Sequence, residues 1–208
     1  QIIALQEEIR SIAKSAQDLA QQLHEKREQA ARQISVEVAA MLRRLGMEEA
    51  RFEVCVTPAE ELISSGADRI YFMFSANDKV EPQIIEKVAS GGELSRVMLA
   101  LKAMIARRKN LPTIIFDEID TGVSGRIADV MGEIISELAR NMQVVAITHL
   151  PQVASKGESH YVVYKQHSKT NIAVLSAEQR IEEVAKMLSG SQISEAALNQ
   201  ARLLLNKN

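Results

Sequence analysis

The sequence predicts an α/β fold led by a long helix, and three observations carry that prediction. Residues 1–46 hold a helical apolar repeat that no Pro or Gly interrupts before Gly46. Two apolar runs, Thr113 to Phe116 and Gln143 to Thr148, have the composition of central parallel strands covered on both faces. Around these runs the apolar residues recur with helical spacing, so strands and helices alternate.

Composition narrows the function classes. With 208 residues and 46% hydrophobic content, the chain is long enough for one domain with a buried core and an appendage. Lys and Arg number 25 against 27 Asp and Glu, so any basic surface has to be local. A single cysteine, Cys55, excludes an internal disulfide and a secreted disulfide scaffold, and fits a reducing compartment. No apolar run reaches the roughly 18 residues of a membrane span, and no signal-peptide pattern opens the chain. A bacterial cytoplasm is the expected location. The chain starts mid-pattern at Gln1 without a Met, which is expected of a fragment.

The repeat steps through Leu5, Ile9, Ile12, Ala16, Leu19 and Leu23, then Lys26, Ala30, Ile34, Val38, Met41 and Leu45. This reads as one coiled-coil arm helix, on the order of 60 Å long. Its other face is Gln, Glu, Lys and Arg, and a single narrow seam needs a partner. The helix either pairs with its own copy or is one strand of an antiparallel arm. Lys26 in the seam and the steps of four after Ala30 indicate a supercoil that loosens toward a globular body, residues 47–208.

In the body, Arg51 to Val56 alternates as a strand, within which Cys55 reads as a small core residue and not a nucleophile. Thr57-Pro58-Ala59-Glu60-Glu61 predicts a short helix start. Arg69 to Phe74 is a second strand whose Tyr71, Phe72 and Phe74 suit core packing better than base stacking. After a loop from Asn77 to Pro82, Gln83 to Val88 leads into Ser90-Gly91-Gly92-Glu93. Adjacent glycines let a ligand approach the backbone, and the free N–H groups and dipole of a helix start favour phosphate. The same residues also make an ordinary helix cap.

The helix that follows carries Leu94, Val97, Met98, Leu101, Met104 and Ile105 inward and ends in Arg107-Arg108-Lys109. Those cations suit a helix carboxyl terminus more than a DNA contact. The strand Thr113 to Phe116 ends in Asp117-Glu118. A loop with a Ser124 cap then opens a helix through Leu138, and the strand Gln143 to Thr148 ends in His149. A right-handed crossover would set His149 beside Asp117 and Glu118 at the carboxyl ends of neighbouring strands, where functional groups collect. Ser159 to Lys165 and Asn171 to Ser176 read as a hairpin. Two covering helices follow, one ending at Gly190 and one capped by Ser194.

A strand ending in Asp-Glu can hold Mg²⁺ through one carboxylate while the next orients an attacking water. A histidine closing the adjacent strand can touch a γ-phosphate, ligate a metal or sit as a buried hydrogen-bonded residue. Together with the glycine pair, these groups occur in the order that nucleotide hydrolysis requires.

Ser90-Gly91-Gly92-Glu93 with Arg96 resembles the signature motif of ABC-type ATPases, Ile114 to Glu118 resembles their Walker B strand, Asp120 the D-loop, and His149 the switch histidine. Within that superfamily, Ser90 to Arg96, Phe116 to Gly125 and Thr148 to Ala154 resemble the RecN family of bacterial SMC-like DNA repair proteins. Ala89 stands where Leu is common in the signature, and Asn77-Asp78-Lys79 stands where the family has Asn-Pro-Gly. No Gly-x-x-x-x-Gly-Lys-[Ser/Thr] occurs, so the phosphate-cradling Walker A loop is absent from this sequence.

The resemblance implies the carboxyl-terminal lobe of an ABC-type P-loop ATPase head, with a parallel-sheet core and one arm helix. It implies ATP and Mg²⁺, with Asp117 supporting the metal, Glu118 activating water and His149 sensing the γ-phosphate. Ser90, Gly91, Gly92 and Glu93 would meet nucleotide held by a second head, and Asp120 would couple the two sites. Implied partners are an amino-terminal head segment of the same protein, a second head in an ATP-dependent dimer, and DNA, with no membrane and a nucleoid-associated location. The implied role is recombinational repair of double-strand breaks, and without Walker A this chain alone should be inactive. Two other readings stay open: a non-catalytic coiled-coil dimerisation module, and a metal hydrolase using Asp117, Glu118, Asp120 and His149, which leaves the glycine pair unexplained.

Overall fold

The computed structural model describes residues 1–87, 91–117, 119–190 and 192–206. The chain forms two compact units, Gln1–Ala89 and Ser90–Asn208.

In the first unit, helix α1 (Ile2–Arg44) runs 43 residues and stops at Gly46, whose φ of 77° favours a residue without Cβ. It packs on an antiparallel sheet of β1 (Arg51–Ile63), β2 (Gly66–Ser75) and β3 (Gln83–Ile84) in the order β1-β2-β3. A 3-10 turn, Ile85–Lys87, ends the described part of what the sequence had as a simple lead-in; Val88 lies outside the described residues. Phe52 faces Phe74 across the β1–β2 ladder, both are buried, and Phe52 stacks on Phe72 with ring centroids 6.0 Å apart. Phe74 therefore serves the core as expected, whereas Tyr71 is half-buried and Phe72 lies exposed against Phe52. Cys55 is free and half-buried.

Two expectations fail in this unit. Thr57 to Glu61 does not start a helix: β1 continues through it, with a register shift between Pro58 and Ile63. Because β1 is an edge strand, a proline lacking an N–H is tolerated there. The arm seam also differs in its second half. Of its expected positions Val38 and Leu45 are buried and Ile34 and Met41 half-buried, but Lys26 and Ala30 are exposed; Ala20, Ala31 and Leu42 are buried instead, with His24 and Arg27 half-buried between. Those two polar residues are drawn to the sheet by one carboxylate. His24 Nδ1 lies 2.6 Å from Asp68 Oδ1, and Arg27 Nη1 donates to Asp68 Oδ2 at 2.8 Å. The Arg27 bond, helped by His24, holds the buried Asp68 carboxyl below its ordinary range against the opposing effect of burial. Arg27 also donates to Ser65 O, and Ser35 Oγ accepts from the Val54 N–H. Farther up, Leu5, Ile9, Ile12 and Leu19 are 61–65% exposed.

In the second unit, α2 (Gly91–Lys109) precedes β4 (Thr113–Asp117), α3 (Gly125–Ala139) and β5 (Gln143–Ile147). The strands pair in parallel, with Thr113 opposite Gln143 and Asp117 opposite Ile147. Phe116, Val97, Leu99, Ala103, Met131, Ile134 and Leu138 are buried, so α2 and α3 cover one side of the pair. Ile115, Val145 and Ile147 are 58%, 43% and 55% exposed, so the cover expected on both faces is present on one only. Ser124 holds the N-cap position of α3 but its side chain makes no capping bond, contrary to the expected cap.

A one-turn helix, α4 (Pro151–Ala154), follows His149; its Pro at the first position suits a helix start. The expected hairpin is β6 (Tyr161–Gln166) with β7 (Lys169–Val174), turning through His167 and Ser168 at positive φ. The closing helices α5 (Ala177–Ser189) and α6 (Glu195–Leu205) pack through Val184, Ala185, Ala197 and Ala201. Ser176 with Gln179 forms a capping box, and Ser194 caps α6 through the Ala197 N–H.

Candidate functional site

The candidate site lies at the carboxyl end of the β4–β5 pair, where β4 hands over at Asp117 and β5 at Ile147. Its buried centre is Asp120, with 1% exposure. Oδ2 of Asp120 accepts the Thr148 hydroxyl proton and, at 3.1 Å, the backbone N–H of His149. Thr148 Oγ1 in turn accepts the Leu150 N–H at 3.0 Å. The His149 ring is 70% exposed, and its Nδ1 lies 3.4 Å from Oδ1 of Asp120. Oδ1 has no hydrogen-bond partner among the described residues.

The first turn of α2 meets this loop from the other side. A Cβ built on Gly92 would lie 2.8 Å from the Gly122 carbonyl oxygen and 3.2 Å from its carbon. Gly122 itself has a φ of 72°, and a Cβ there would lie 3.1 Å from Gly92 N and Cα. Bare backbone thus touches bare backbone. At Gly91 the nearest atom to a Cβ among the described residues is Thr121 Cγ2 at 3.9 Å, so that position is open on this side. Ser95 Oγ and Arg96 Nε both bond back to this turn, at Gly91 O and Gly92 O, 2.9 and 3.1 Å away.

The structure therefore brings Gly91, Gly92, Asp120 and His149 to one loop cluster, with the exposed Asp117 at the adjoining strand end and Glu93 half-buried in the first turn. His149 stands at the expected strand end, and its close carboxylate is Asp120. Ser90 and Glu118 lie outside the described residues. No group of three or more His, Cys, Asp or Glu side chains among the described residues is arranged to hold a metal alone.

Sequence reasoning passed over Thr148, Gly122 and the anchorage of α4. Gly132 of α3 lets α4 approach, since a Cβ there would lie 3.0 Å from Gln152 O. Lys156 Nζ sits 3.7 Å from Asp129 Oδ1 across the same contact. From α5, Arg180 donates to the carbonyls of Ser155, Gly157 and Glu158. The available signals were a hydroxyl residue just before His149 and a glycine in the middle of an amphipathic helix. His160, beside this anchor, is pushed to a lower pKa by burial and by the Arg180 charge, with Glu183 opposing.

The class of fold is that of SMC ATPase heads. The Smc head domain of Pyrococcus yayanosii with a coiled coil and joint superposes with a TM-score of 0.67 at 18% identity, covering 89% of this chain and 35% of that one. The Pyrococcus furiosus Smc head domain with an extended coiled coil, solved bound to the C-terminal domain of ScpA, gives 0.63 at 19% identity over 89% of this chain and 45% of that one.

In sequence the chain is similar to the DNA repair protein RecN: 41% identical to that of Rickettsia bellii over 191 residues, which is 90% of this chain and 35% of the relative. It is 37% identical to that of Deinococcus radiodurans over 206 residues, 97% of this chain and 36% of the relative. The chain spans about a third of the length of these relatives. No protein-family model matches the chain. Among the described residues, no helix is long and apolar enough to cross a membrane.

Proposed function

We propose that the chain is the carboxyl-terminal lobe of an SMC-like ATPase head, residues 47–208, with one strand of its arm, residues 1–46. In the longer protein, ATP-driven engagement of two heads would serve recombinational repair of DNA double-strand breaks in the bacterial cytoplasm, at the nucleoid. The observation that carries this reading is the meeting of the α2 start, the Asp120 loop and His149 at one end of a parallel pair. Similarity to proteins named for DNA repair supports the role, and the DNA partner rests on that similarity.

The exposed Gly91 fits the approach of a phosphate to bare backbone, and Ser90, Gly92 and Glu93 would act with it on nucleotide carried by a second head. An exposed carboxylate, Asp117, fits Mg²⁺, an ion that keeps waters and phosphate oxygens as most of its ligands. Mg²⁺ would neutralise charge on the phosphates. Glu118 would orient or deprotonate the attacking water, His149 would contact the γ-phosphate, and Asp120 would link this site to the one across the dimer. The open Ile115, Val145 and Ile147 suit cover by an amino-terminal head segment, which would also bring Walker A. Without it the chain is inactive.

The test is Glu118→Gln in the full-length protein. A general base contributes about 10²- to 10⁴-fold, so steady-state ATP hydrolysis should fall at least ~100-fold with ATP binding retained. Turnover near wild type would remove Glu118 from its role. The exposed seam through Leu5, Ile9, Ile12 and Leu19 favours a second reading, a dimerisation module without chemistry. Nucleotide-independent dimers of a full-length protein with no ATPase activity would support that one instead.

A further inference from the structure

Resting on the ATPase reading, we infer that Thr148 is a positioning residue for hydrolysis: its hydroxyl locks the turn that presents His149. The His149 ring is largely in solvent, so burial does not aim it. Its direction comes from the backbone beneath it and from the carboxylate beside it. Both are fixed through one hydroxyl. Thr148 Oγ1 has a single proton, which goes to Asp120, while a lone pair takes the Leu150 N–H. The relay therefore runs from Leu150 N–H through Thr148 to Oδ2 of Asp120, which also holds the His149 N–H.

The Asp120 carboxylate is an acceptor-only group in a residue 1% exposed, and all the hydrogen bonds described to that side chain come from residues 148 and 149. Removing the hydroxyl leaves a buried carboxylate short of one donor and a backbone N–H without its acceptor. The turn then has less reason to keep the ring over the site. Among the described residues, the atom near a Cβ built on Gly91 belongs to Thr121 and not to Asp120, Thr148, His149 or Leu150, so binding of nucleotide by the α2 start should be spared.

The experiment compares wild type, Thr148→Val, Thr148→Ser and Glu118→Gln in the full-length protein by steady-state ATP hydrolysis. Exchange of the residue 149 and 150 amides is followed in parallel. Valine keeps the shape and removes the hydroxyl; serine keeps the hydroxyl. Misplacing a reacting group by about 1 Å costs on the order of 10- to 100-fold, so Thr148→Val should lose that much kcat with KM within about twofold. The two amides should exchange at least ~10-fold faster, and serine should restore both readouts. Thr148→Ala replaces the valine variant if the latter does not fold. Unchanged kcat, equal losses in valine and serine variants, or a rise in KM alone would overturn the assignment. If Glu118→Gln keeps full turnover, the ATPase roles fall separately, and unchanged exchange at residues 149 and 150 in the valine variant would still refute the lock.

Discussion

Gly91 and Gly92 are adjacent, yet the structure gives them different work, and substituting each by alanine separates the two. At Gly92 an added methyl meets the Gly122 backbone at 2.8 Å, too close for any side-chain rotation to relieve, so the loop 119–123 must move. Overpacking of this kind costs about 1–3 kcal/mol. At Gly91 the nearest atom is 3.9 Å away, an ordinary contact. Both changes gain up to ~1 kcal/mol from the smaller backbone entropy of alanine in the unfolded chain. That gain cancels in the difference, so Gly92→Ala should be about 1–3 kcal/mol less stable than Gly91→Ala. Urea unfolding followed by circular dichroism reads this as a lower midpoint at constant slope. Equal midpoints would refute the packing role of Gly92 and return both glycines to ligand approach.

Other consequences concern titration and the arm junction. Asp68→Asn should cost about 2–3 kcal/mol, below the 3–5 of a fully buried pair because His24 and Arg27 are partly wet, and should speed amide exchange in residues 20–35. Asp68 is depressed in the folded chain, so its stabilisation is complete above its ordinary value of 3.8 and is lost as pH falls toward the folded value. Acid unfolding of the first unit should begin in that window, and Asp68→Asn should flatten it. His160 is likewise lowered from 6.5, so the unfolded chain takes up its proton first and stability declines as pH drops below about 6.5. Urea midpoints between pH 7 and 5 should fall in the wild type and fall less in His160→Asn.

Much of this architecture was legible because period and chemistry agreed. Apolar runs of strand length ended in Asp117 and just before His149, and the paired register sets those ends side by side. The long repeat gave α1, and the alternation of Ser159 to Lys165 and Asn171 to Ser176 gave the β6–β7 hairpin. The arm seam slipped from Leu23 and Lys26 to Ala20, His24 and Arg27 because an apolar count passes over polar residues that a distant Asp68 satisfies. Pro58 looked like a helix start because local propensity carries no information that β1 is an edge strand. At Gly92 the sequence showed ligand approach or a cap but not the packing, since the contact that forbids its Cβ comes from Gly122, thirty residues on. Asp120 read as a link between sites; its burial under Thr148 and His149 could not be seen without the fold.

The central claim is that the start of α2 serves nucleotide bound to another head. Light scattering of the full-length Glu118→Gln protein, with and without ATP, tests it alongside a second variant that adds Gly91→Asp. Gly91 is open, so the added carboxylate is accommodated in the fold while opposing an approaching phosphate. The expected result is an ATP-dependent dimer that Gly91→Asp abolishes while each head still binds ATP. A Gly91→Asp head that dimerises normally with ATP, or that loses ATP binding as an isolated head, would contradict it.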